Sequence, residues 1–339
     1  VERGGDRHHQ RSPAAVVTEV SAHGVERLPF SLPEFVRISW VNEEARAVWE
    51  ERIRAVAWAW SEIEWRAVSA GARRCAILRI APPEFLEQAP RWLEAGLTSL
   101  PIDLIGDPGP YSSAASPVKA GEPFVMVLVL GSLADVGEFR DAWEAADQEK
   151  IGTLLGYPAC CREFFRQVWV ELGMTDTTWP TAMNSEPERE GERAVVVDGP
   201  PQANILWRWM GVRAAPHLPC SFGCEETVAF ADRLIEIGRA CGFQKEMDWM
   251  LEILDWSVQW SALHGIAEIK TPVLKVSART DATPVDYVVR RPGGSRPQEG
   301  ARGLDFPYRR VRSRRLSGST GYKRGLEVAQ PDDGDLSSA

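Results

Sequence analysis

The sequence predicts an α+β protein: a small α/β N-terminal unit, then a mainly helical cysteine domain with a short terminal β element. Three observations lead there. Apolar residues recur at helical spacing over residues 42–69. The run Phe124-Val125-Met126-Val127-Leu128-Val129-Leu130 is continuously apolar and of strand length, which predicts burial on both faces. Two proline-announced helix starts, about sixty residues apart, hold four of the six cysteines.

Residues 1–30 are polar and without periodicity and are expected to form a disordered arm. Ala45, Val48, Trp49, Ile53, Val56, Trp60 and Ile63 then predict a helix to about Ser69. A β-like run follows over Cys75–Ile80, and Pro82-Pro83 opens a helix expected to end near Gly96. Pro101–Ile105 reads as a strand, Gly106–Glu122 as a loop, and Phe124–Leu130 as the central strand. Gly131-Ser132 turns into a helix carrying Val136, Phe139, Trp143 and Ala146, without the rest of a glycine-rich phosphate fingerprint. Strands alternating with helices make residues 31–150 an α/β unit.

Residues 151–290 form the expected cysteine domain, with helices near 159–172, 202–210, 222–241 and 244–263. The stretch 175–201 reads as a loop. Two β-like runs, 266–277 and 285–290, close the domain. Trp249, Trp256 and Trp260 would form a core stripe on the last helix, and His264 would cap its end. Residues 291–339, rich in Gly, Pro, Ser and Arg, are expected to be a disordered basic tail.

Composition narrows the function classes. Hydrophobic and charged fractions of 44% and 26% are those of a globular chain, and no apolar run approaches the ~20 residues of a membrane helix. A net charge of −9 excludes a whole-surface nucleic-acid binder and leaves nucleic acid only the basic tail, Tyr308–Arg315 with Lys323-Arg324. The first nine residues lack an apolar signal region, which predicts the reducing cytoplasm, where grouped cysteines bind metal or do redox chemistry.

The cysteine motifs are Gly156-Tyr157-Pro158-Ala159-Cys160-Cys161-Arg162-Glu163-Phe164-Phe165 and His217-Leu218-Pro219-Cys220-Ser221-Phe222-Gly223-Cys224. Pro158 puts Cys160 and Cys161 in a first helical turn, where free backbone N–H groups favour thiolates. Pro219, with Ser221 as N-cap, repeats the arrangement for Cys220 and Cys224. Adjacent cysteines splay on a helix, so an iron–sulfur cluster is the first expectation. Zinc held by these thiolates, or by thiolates with His217, and a metal-free thiol pair stay open. Cys161 or His217 would be the reacting group of a reductive or sulfur-transfer enzyme. Arg162 could hold an anionic substrate or tune a cluster, or be a solvated helix charge. Cys75 and Cys241 read as core residues.

Leu154–Phe165 and Pro219–Cys224, with Ala267-Glu268-Ile269-Lys270-Thr271-Pro272 and Thr280-Asp281-Ala282-Thr283, resemble the conserved family called domain of unknown function 483, over roughly residues 120–290. The resemblance brings no activity. It implies that the motifs act as a unit and raises Lys270, Arg279 and Asp281 from surface charges to pocket residues. A fainter similarity is to iron–sulfur enzymes with vicinal cysteines, from which Cys-Cys-Arg and Cys-x3-Cys both depart. The two function classes are thus an iron–sulfur enzyme acting on a small-molecule or nucleotide-like substrate, and a zinc-stabilised binding module whose basic tail recruits a partner.

Overall fold

A computed structural model of the chain describes residues 36–106, 118–280 and 287–300. Among them, two sheets are tied together by one long helix, α1 (Glu43–Ser69). Its start is capped by Asn42, whose side-chain oxygen accepts the Ala45 N–H at 2.7 Å, with Glu43 and Glu44 in the first turn. The expected apolar stripe is buried, and α1 packs on both β2 (Cys75–Ile80) and the later helices α7 (Glu225–Ala240) and α8 (Gln244–Leu254).

The smaller sheet has the order β2-β4-β3, with β4 (Phe124–Gly131) between β2 and β3 (Thr98–Gly106), antiparallel throughout. The expectation of burial on both faces of β4 holds over its second half. Val129 packs with Val136 and Phe139 of α3 (Leu133–Glu144) and with Ile151 and Leu154 of α4 (Gln148–Leu154). Leu128 and Leu130 point the other way, into a cluster with Trp65 and with Trp92 of α2 (Pro82–Glu94).

The larger sheet has seven strands among the described residues, in the order β1-β9-β8-β7-β10-β6-β5. These are β1 (Val36–Trp40), β5 (Glu188–Arg189), β6 (Ala194–Val196), β7 (Val258–Leu263), β8 (Ile266–Lys270), β9 (Leu274–Arg279) and β10 (Tyr287–Arg291). All pairings are antiparallel except β10 with β6. The α+β class stands, with a β element much larger than the short one expected. The boundary expected near residue 150 is crossed, because β1 pairs with β9, Val36 opposite Ala278, and α1 packs on α7 and α8.

Several expected elements are different. The helix expected over 244–263 ends at Leu254, so Trp249, Trp256 and Trp260 do not share a helix. Val258, Trp260 and Ala262 alternate inward as a strand, while Trp256 is held edge-on between Trp49 (4.4 Å) and Trp207 (5.6 Å). Residues 202–210 form two short 3₁₀ turns instead of a helix. The supposed loop 175–201 contains α6 (Thr178–Met183), β5 and β6. Residues 291–300, assigned to the tail, pack on the body: Arg291 is buried, and the Trp49 indole donates to Glu299 at 3.1 Å. The arm, residues 301–339 and Asp281 lie outside the described residues. Cys75 is core, its thiol pushed up to about 12 by burial, but Cys241 caps the end of α7 and is exposed.

His264 caps no helix. With Gly265 it forms the two-residue turn between β7 and β8, and both have positive φ (51° and 82°). That pattern is a type I′ hairpin, whose twist matches the flanking strands. His264→Val is therefore expected to destabilise the protein by about 1 kcal/mol and His264→Asn to be neutral or slightly stabilising, since β-branched residues resist this region and Asn tolerates it. Urea-unfolding midpoints of the two variants check this; equal midpoints would refute the turn assignment.

Candidate metal centre

The first cysteine motif opens α5 (Ala159–Phe165). Pro158 is its N-cap, with φ −55° and an extended ψ, and its carbonyl accepts the N–H groups of Cys161 (3.1 Å) and Arg162 (3.0 Å). Helical hydrogen bonding widens to a π-helix over Arg166–Glu171. The second motif ends at α7, where Cys224, not Ser221, is the N-cap; Ser221 instead supplies the carbonyl that closes a turn on the Cys224 N–H at 3.3 Å.

The two starts meet. The sulfurs of Cys160, Cys161, Cys220 and Cys224 lie within 4.8 Å of one another. Cys160–Cys161 is 3.8 Å, Cys160–Cys224 3.7 Å and Cys161–Cys224 3.6 Å. The splay expected of neighbouring helical cysteines is absorbed by their side-chain rotamers, so both thiols face Cys224. Cys161 and Cys224 are buried, Cys220 is half-buried and Cys160 is exposed. Four close cysteines of this kind could hold a metal ion.

The electrostatics of the bare thiols favour a cation. Hydrogen bonds to Cys220 and Cys224, with burial, push the Cys161 thiol far up, while donation from Cys161 and Cys220 draws Cys224 far down. One thiolate is thus stabilised by the protons of its neighbours, and a bound ion would take over that role.

The supporting residues come from the segment read as a loop. The Asn184 amide donates to the Cys220 carbonyl (2.9 Å), and Ser185 Oγ accepts the Phe222 N–H (2.8 Å) while donating to the Thr181 carbonyl (2.6 Å). Gly199, at φ 158°, lets its backbone press against Phe222: a Cβ there would sit 2.0 Å from the Phe222 carbonyl oxygen. The available signal was Pro180 between Thr178 and Thr181, a proline in a first helical turn.

His217 is not among the grouped ligands but is linked to them. Its Nε2 is 2.9 Å from Thr227 Oγ1, which lies 3.3 Å from the Cys161 sulfur. Burial lowers its pKa to about 4, so the ring is neutral at pH 7, packed between Tyr157 (5.1 Å) and Phe230 (5.9 Å). Arg162 faces the protein: its Nε donates to Glu149 at 2.8 Å, Nη1 donates to the Tyr157 carbonyl, and its stem packs over Gly152. Lys270 is buried at the end of β8, opposite Gln259 and Lys275 in the sheet. Arg279 ends β9, opposite Ile266.

Two adjoining clefts lie beside the centre, sharing Arg208, Trp209, Arg213 and Pro216. The smaller, about 240 Å³, is lined by His217; the larger, about 460 Å³, by Tyr157. Among the described residues no helix is long and apolar enough to cross a membrane.

Gly199→Ala is expected to cost about 3 kcal/mol, because neither the new Cβ nor the Phe222 carbonyl can move far, and to lower metal retention with it. Denaturation midpoints and metal content measured together check this; an unchanged midpoint would refute the close approach. Compared with known proteins, the chain matches no family model, no curated protein and no solved structure.

Proposed function

We propose that the chain is a zinc-stabilised binding protein, in which Cys160, Cys161, Cys220 and Cys224 hold one tetrahedral ion. The sulfur spacing carries this reading. A tetrahedral ion with bonds of ~2.3 Å separates its thiolates by about 3.8 Å; the three pairs among Cys160, Cys161 and Cys224 span 3.6–3.8 Å, and Cys220 lies within 4.8 Å of them. In a 4Fe–4S cluster each thiolate ligates a different iron, and in a 2Fe–2S cluster the thiolates fall into two pairs on separate irons, so a close set of three sulfurs fits neither. Four thiolates also close the coordination sphere, which is the pattern of a structural site. Bound zinc supplies charge neutralisation and a cross-link between the starts of α5 and α7. The cleft beside it supplies the binding surface, and the basic tail is a further candidate for contacting an acidic partner.

The iron–sulfur enzyme is the second reading. It is favoured by the exposure of Cys160 and by the line of contacts from Cys161 through Thr227 to His217. In that reading Cys161 or His217 is the reacting group.

Metal analysis with an absorption spectrum, on protein purified without oxygen, separates the two. One zinc per chain with no visible band is expected. Cys161→Ser or Cys224→Ser should weaken zinc binding by at least about tenfold, while Cys75→Ser and Cys241→Ser should not. Retention should fall as pH is lowered, because protons compete for the thiolates. Iron with sulfide, or four titratable thiols and no metal, would overturn the zinc reading.

A further inference from the structure

We propose that the larger cleft binds a small organic anion, a carboxylate or a phosphate monoester with a planar apolar body, through Arg73, Arg79 and Arg213. The three arginines line the cleft together with Glu62, Glu64 and Glu84, and Arg213 is near enough to act electrostatically on both Arg73 and Arg79. Glu64 is 3.4 Å from Arg213 Nη2 and accepts the Trp60 indole N–H at 3.1 Å. Arg73 is only 6% exposed, and its Nη2 donates to the neutral Glu64 backbone carbonyl at 2.6 Å. Among the described residues Arg73 makes no ion pair, an arrangement that is costly for a buried cation.

The arginines also repel one another. Burial lowers the pKa of both Arg73 and Arg79, and Arg213 lowers each further. Glu62, on the same wall, is already held by Arg66 (2.9 Å) and Arg91 (2.8 Å) and cannot serve them. An oxyanion in the cleft would supply the buried Arg73 with a counter-charge and add charge-assisted hydrogen bonds from Arg79 and Arg213. The body of the ligand would lie against Trp65 and Trp209, the latter already stacked under Arg208 at 3.6 Å. Such a cleft, mixing apolar walls with a few convergent polar groups, has the make-up of a small-molecule site.

The cleft is built by the cysteine motif without depending on which ion the cysteines hold. A Cβ on Gly156 would lie 3.0 Å from Arg73 Cβ, so the turn before Tyr157 packs directly on the buried arginine.

Calorimetric titration of the full chain with adenosine monophosphate and with benzoate tests the inference, with adenosine and benzyl alcohol as neutral counterparts. Saturable binding of one or both anions, and of neither neutral compound, is expected. Arg213→Gln and Arg79→Gln should each weaken it by at least about tenfold, the equivalent of one charge-assisted hydrogen bond. These two positions are used because replacing the buried Arg73 could unfold the chain. Binding of the phosphate alone or of the carboxylate alone supports the cleft and identifies the head group. Binding of neither anion, or binding by both arginine variants as tight as by the unaltered chain, overturns it. A zinc-loaded chain that binds neither anion would sink this inference and leave the zinc reading standing; a metal-free chain that binds one would do the reverse.

Discussion

Four thiol sulfurs crowded within 4.8 Å cannot all ionise unless a cation sits among them. Without one they share protons around Cys224; with one they become a cross-link. Much of the fold leads to that point. The sulfurs come from the starts of α5 and α7, so whatever they hold fastens two helices that the sequence keeps about sixty residues apart. Because α7 packs on α1, and α1 packs on the small sheet, the cysteine site is connected through these helices to that sheet.

The surroundings make the crowding affordable. The Asn184 amide donates to the Cys220 carbonyl and Ser185 Oγ accepts the Phe222 N–H, holding this backbone, and the Gly199 backbone packs closely against Phe222. A second polar knot stabilises the same region. Asp176, buried, accepts from Thr178, from Arg208 at 2.7 Å and from Thr280 at 2.7 Å, which ties the start of α6 to the 3₁₀ turn at Arg208 and the end of β9. A carboxylate buried with this many donors is satisfied, whereas Arg73 is not. That contrast is why Asp176 reads as architecture and Arg73 as part of a binding cleft.

Much of the fold was legible where a local pattern met a matching environment. The stripe of α1, the two-faced burial of the second half of β4 and the helix start at Pro158 are local signals that appear where expected, whereas the second start falls at Cys224 and not at Ser221. The errors also have physical causes. Trp249, Trp256 and Trp260 fit a helical period, but the helix ends at Leu254, and Val258, Trp260 and Ala262 fit a strand equally well. β1 was missed because five residues of mixed polarity acquire strand structure only by pairing with β9. α6 was hidden in a segment whose prolines and glycines resemble a loop.

By itself, the sequence determined that Cys160 and Cys161 open a helix and that Cys220 and Cys224 lead into another, that a strong apolar strand anchors a small sheet, and that no long apolar helix is encoded. These follow from local propensity and spacing, which act along the chain. Only the tertiary structure decided that the four sulfurs converge within 4.8 Å, that Arg162 turns inward to Glu149 and Tyr157, and that Arg73, Arg79 and Arg213 line one cleft. Those outcomes depend on side-chain rotamers and on contacts between residues far apart in sequence, which no local pattern contains.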